Sequence, residues 1–214
     1  MSLSRADSEA DDLTLSERAW ELFLPLPDSI SRIEWWGRCA TLLAFISWTA
    51  VIARHANVRE GDVGSPFLHL VLLPFHEAGH VIFRLFGHFM MVLGGTLGQL
   101  LMPLIVAGAL LVQRRDAFGA ALFFWLLGFS TLDMAVYMYD AFDPVLTLLN
   151  GATGAESDAH DWQNLFGDTG LLHYARGIGR FFGFVGGFMM LGGLGWAALA
   201  VAYQHGRIEK DAGP

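Results

Sequence analysis

A single cysteine, Cys39, is all the thiol chemistry that this chain of 214 residues holds. It excludes an intramolecular disulfide and any thiolate metal cluster, and leaves ordinary packing as its role. Charge is scarce too: 16% of the residues are Asp, Glu, Lys or Arg. The 13 Lys and Arg are outnumbered by 21 Asp and Glu, and the resulting net charge of −8 argues against nucleic acid as a partner. The start does not read as a basic stretch followed by a short apolar core, so no cleavable signal peptide is expected; residues 1–17 are acidic and polar on balance.

What the chain has in abundance is apolar sequence: 54% hydrophobic residues, with 17 Phe, 7 Trp and 25 Gly, gathered into long runs. That pattern reads as an all-α integral membrane protein that crosses the bilayer several times. About five transmembrane helices are expected, over residues 36–53, from Pro66 onward, 96–112, 118–139 and 178–203. Three regions follow: an acidic segment with an amphipathic helix over 1–34, a membrane-embedded domain over 35–204, and a polar tail over 205–214. Between the second and third spans, residues 88–99 carry Gly94, Gly95 and Gly98. A re-entrant segment and a plain interhelical turn are both open there, since irregular backbone at membrane depth survives only where protein buries it or it lines a cavity. Gly179, Gly183 and Gly187, four apart in the last span, form a face for close helix contact, inside the chain or in a homo-oligomer.

The chemistry centres on His76-Glu77-Ala78-Gly79-His80, an HExxH pattern inside the second span. Residues four apart on a helix lie one turn above each other, so His76 and His80 point the same way and can take two positions around one metal. Glu77 lies beside them, placed to act as general base on a water. Ionisable groups within a span cost about 2.5–3.5 kcal/mol each on insertion scales. Three in five residues therefore call for a shared partner, and a metal ion satisfies all of them. His69, two turns before His76, reads either as a residue packed against a neighbouring helix or as part of the metal environment.

A catalytic zinc takes three protein ligands and keeps one open position. The third ligand must come from elsewhere in the chain, and the candidates are His160, Asp161, Asp133, Asp140 and His173. His160 is the preferred one. It sits in the long segment 140–177, which can fold back over the second span, and Asp161 beside it could orient its ring. Asp133, Tyr137 and Asp140 share one face of the fourth span, and a carboxylate at that depth is a functional candidate.

His76, Glu77 and His80 inside an apolar helix, a glycine-containing segment after it and further spans beyond resemble the site-2 protease-like intramembrane zinc metalloproteases. The resemblance is carried mainly by residues 66–112. It implies zinc, peptide-bond hydrolysis at the membrane, and a multi-pass protein of a bacterial inner membrane; one ion is expected, and the number of His and Asp residues leaves a second metal as the alternative. In that family an aspartate of a later span, usually beside a glycine, completes the site; Asp133-Met134 is only a partial echo of it. The substrate expected is a membrane-embedded peptide. Two other functions remain open: a mono- or dinuclear enzyme acting on a lipid or small amphiphile, and a metal sensor or transporter without catalysis.

Overall fold

A computed structural model of the chain describes residues 14, 20–25, 29–147, 151, 153–156 and 159–208. Most of the acidic N-terminal segment and the end of the polar tail lie outside the described residues. Within the expected amphipathic helix, residues 20–23 are helical. They rest on the last helix, with the Phe23 carbonyl accepting from Trp196 Nε1 at 2.7 Å.

The chain folds into helices, with no strand among the described residues: α1 Arg32–His55, α2 Pro66–Phe83, α3 His88–Val112, α4 Ala117–Asp140, α5 Asp161–Thr169 and α6 Ala175–His205. Counting the short 3₁₀ turns that extend α2 and α6, five helices among the described residues are long and apolar enough to cross a membrane. Local chemistry marks their ends. Ser31 caps α1 by accepting from Glu34 N at 3.2 Å, and Asp116 caps α4 by accepting from Gly119 N at 3.2 Å. Pro66 stands at the first position of α2, where its missing N–H costs nothing. The same helix continues across Pro74. Arg38 joins the starts of α1 and α4, pairing with Glu34 at 2.7 Å and Asp116 at 3.2 Å.

The glycine-rich stretch after α2 departs from the re-entrant expectation. The turn is confined to Gly87, at φ 96°, and α3 begins at His88 and runs unbroken. Gly94, Gly95 and Gly98 therefore lie inside a helix, where their missing side chains serve packing. A β-carbon on Gly94 would stand 2.5 Å from the Gly79 carbonyl oxygen, and one on Gly98 would strike the Phe75 carbonyl. With 75 facing 98 and 79 facing 94, α2 and α3 form an antiparallel hairpin whose backbones nearly touch.

Helix α4 is the centre of the bundle, with residues from Ala117 to Asp140 buried along most of its length. It packs on α6 through glycines, though not the set expected. Gly179, Gly186 and Gly193, seven apart, press on the α4 backbone near Ala135, Gly128 and Ala121, while Gly187 has open space beside it. A seven-residue spacing keeps one face toward a partner helix packed with a left-handed supercoil, which a four-residue spacing drifts away from.

The described residues just after α4 turn around Asp140. A carboxylate at a helix C-terminus is unfavourable to the helix dipole, but this one accepts from Val145 N at 3.0 Å and Leu146 N at 3.3 Å. The chain then returns as α5, whose Trp162, Leu165 and Phe166 enter a core with Val92, Met134 and Met138. Each such side chain gains roughly 1.5–3 kcal/mol on leaving water, enough to dock a nine-residue helix.

Candidate metal centre

The antiparallel hairpin sets the ring orientation of both motif histidines. His76 Nδ1 lies 2.9 Å from Gln99 Oε1 on α3, and His80 Nδ1 lies 2.8 Å from the Met91 carbonyl oxygen. Both partners are acceptors, so each Nδ1 carries the hydrogen and each Nε2 presents a lone pair. The Gln99 amide is oriented by its other end, where Nε2 donates to the Ser130 carbonyl at 3.2 Å. This is how proteins hold imidazole ligands of metals: one nitrogen anchored, the other aimed at the ion.

The group both Nε2 atoms face is Asp161, the first residue of α5. Its Oδ2 stands 3.0 Å from His76 Nε2 and 3.3 Å from His80 Nε2. The three donors form a cluster whose ligand atoms lie within 4.8 Å of one another. Donors about 2.0–2.2 Å from a tetrahedral zinc lie roughly 3.4 Å apart, close to the separations here. The donor set itself points to a cation. With both Nδ1 hydrogens committed, two lone pairs and a carboxylate oxygen would repel one another unless both rings were imidazolium or a positive ion lay between them. A metal ion answers all three, and the residues fit zinc. With both rings in the imidazolium form, burial opposes ionisation of Asp161, but the hydrogen bonds that His76 and His80 then donate, and their charge, outweigh it. Its carboxyl is held below the usual carboxylate range, in the form a metal binds.

His160, expected as the third ligand, is placed differently. It is fully buried, and its Nδ1 accepts from Gln163 N at 3.1 Å, capping α5. Nε2 then carries the hydrogen and donates to Asp140 Oδ2 at 3.2 Å. Both nitrogens are occupied, so His160 positions the helix whose next residue meets the histidines. The other candidates are also elsewhere. Asp140 is taken up by His160 and the backbone after α4, and His173 is exposed against Phe142. Asp133 accepts from His69 Nδ1 at 2.8 Å, and Gln99 Nε2 reaches its other oxygen at 3.5 Å. Asp133 thus stands behind Gln99, which in turn holds His76. His69 belongs to this network and is also in the cavity wall.

Gly95 keeps the space at the two nitrogens. A β-carbon there would lie 2.5 Å from His76 Nε2 and 2.6 Å from His80 Nε2. Around the cluster is a cavity of about 790 Å³, lined among others by Glu77, Thr96, Tyr137 and Trp162. Glu77 is exposed to it. Gln99 and Gly95 were not singled out by the sequence as site residues. The signal available for Gln99 was an amide inside an otherwise apolar span. Compared with known protein families, curated proteins and solved structures, the chain matches none.

Proposed function

We propose that the chain is an integral-membrane hydrolase that holds one zinc ion on His76, His80 and Asp161 and cleaves a peptide bond of a membrane-embedded substrate. One observation supports it above others: two imidazoles anchored through Nδ1 turn both Nε2 atoms to one carboxylate, in a cavity that Glu77 also lines. The membrane setting is supported by outward apolar side chains on the candidate spans, among them Leu70, Val81, Ile82, Phe184 and Phe188. A bacterial inner membrane rests on the family resemblance alone.

Zinc, when bound, would supply a Lewis acid that polarises a carbonyl and acidifies a water. Glu77 takes a proton from the attacking water as the water oxygen bonds to the carbonyl carbon, and the carbonyl π pair moves to its oxygen. When the C–N bond breaks, its electron pair leaves with nitrogen, and Glu77 returns the proton there. One water is consumed, and a carboxylic acid and an amine are formed. The Gln99 and Met91 contacts keep both rings fixed throughout.

A second reading, hydrolysis of a lipid or small amphiphile, is favoured by the size of the cavity and by apolar walls such as Leu73, Met134 and Val136. The test is metal analysis of the purified chain, followed by mass spectrometry of membrane-spanning peptides and of lipid esters incubated with it. The expected result is one zinc per chain and peptide cleavage that Glu77→Gln abolishes with zinc retained. A metal-free wild type, or cleavage that survives Glu77→Gln, would overturn the reading; ester cleavage alone would move it to lipids.

A further inference from the structure

Tyr137 of α4 stands beside the three donors without holding any of them by its side chain. Its ring packs on the His160 ring with centroids 4.1 Å apart, which fixes where the phenol points. The hydroxyl oxygen accepts from Asp161 N at 3.3 Å. It therefore lies within one residue's reach of the carboxylate oxygen that meets both histidines. Tyr137 lines the same cavity as His76, Glu77 and His80. Its oxygen already accepts, and among the described residues no acceptor is bonded to its hydrogen, so the O–H is left to donate into that cavity.

We propose that Tyr137 is a catalytic residue that donates this hydrogen bond to the oxyanion formed on the substrate. The inference rests on the hydrolase reading above. As water adds to the carbonyl carbon, negative charge collects on the former carbonyl oxygen, and a fixed donor nearby stabilises that charge more than it stabilises the neutral carbonyl. Tyr137 keeps its proton throughout; the proton from water travels by Glu77 to the leaving nitrogen. No oxidant or reductant takes part, and water is the one co-reactant. Donors of this kind, removed singly from other enzymes, have cost about 10²- to 10³-fold in kcat.

The competing role is purely positional, with Tyr137 serving to hold the Asp161 backbone. The two separate in a binding experiment that needs no turnover. The full chain in detergent is loaded with cobalt(II), whose visible absorption reports the ligand set, and titrated with phenylphosphonate, a tetrahedral anion that stands in for the oxyanion. Wild type, Tyr137→Phe and Tyr139→Phe are compared; Tyr139 lies outside the cavity lining and carries Arg176 and Arg180 against its ring. The expected result is an unchanged cobalt spectrum in all three, with phenylphosphonate bound roughly ten- to hundredfold more weakly by Tyr137→Phe alone. Equal affinity in Tyr137→Phe, or no phenylphosphonate binding by cobalt-loaded wild type, would overturn the assignment. Loss of cobalt from Tyr137→Phe would overturn it in favour of the positional role. A wild type that takes up no cobalt would instead sink the metal-centre reading beneath it.

Discussion

Replacing Gly95 by alanine adds one methyl group, and two consequences of opposite sign can be worked out. On helix propensity alone the change favours α3 by about 0.8–1.0 kcal/mol. Against this, the new β-carbon would stand 2.5 Å from His76 Nε2 and 2.6 Å from His80 Nε2, where ordinary contact begins at 3.4 Å. Something must retreat by close to 1 Å, and neither ring is a loose end: one is bonded to Gln99 and the other to the Met91 carbonyl. The displacement therefore falls on the metal-facing nitrogens. Misplacement of about 1 Å at a reacting site can cost 10²-fold, and a comparable loss of zinc affinity is expected here. Gly108 is the control, because a β-carbon there meets nothing within 4 Å. Gly108→Ala should bind zinc as wild type does and gain the propensity term. Chelator competition measures the affinity, and circular dichroism checks that both variants keep their helices. Wild-type zinc affinity in Gly95→Ala would refute the reasoning, since it would mean that the two Nε2 atoms are not where the ion sits.

Three further outcomes follow from the same contacts. Asp161→Ala should lose most of its zinc, whereas His160→Asn, which keeps an acceptor at the α5 cap, should retain it; equal zinc loss in both would return His160 to the ligand set. Gln99→Leu should weaken zinc binding about ten- to a hundredfold by freeing the His76 ring, and chelator competition showing no change would remove Gln99 from the site. Gly186→Leu should unfold the α4–α6 contact while Gly187→Leu is tolerated, as judged by thermal denaturation in detergent; similar melting would mean that the glycine face is assigned to the wrong register.

The helices and the first two donors were legible because they depend on local pattern. Hydropathy and Pro66 placed the start of α2 to the residue, and four-residue spacing put His76 and His80 on one side of it. The glycines of α3 misled because low helix propensity and close helix packing leave the same mark in sequence. Deciding between them requires knowing that Gly79 lies opposite. The residue that meets the two histidines lies one position from the one expected. His160 and Asp161 are neighbours, and which of them reaches the histidines is set by where α5 begins. A cap residue turns its side chain back onto its own helix, leaving the next position to face the cavity. The apolar spacing of Trp162, Leu165 and Phe166 announces the helix but not the direction in which its first side chain points.

Asp161 lies 85 residues beyond His76, on a short helix outside the five candidate spans. During synthesis the HExxH helix is therefore made long before its third donor exists, and two imidazoles alone grip a metal weakly. The centre can close only after α4 is in place and α5 has folded back onto α3 and α4. On the proposed reading, metal loading is a late event that certifies assembly, and a half-made chain has Glu77 without a third donor beside it. If the proposed zinc is held there, its occupancy and correct tertiary structure become one measurement, and variants in the 141–160 connection are expected to show as metal-poor protein before they show as unfolded protein.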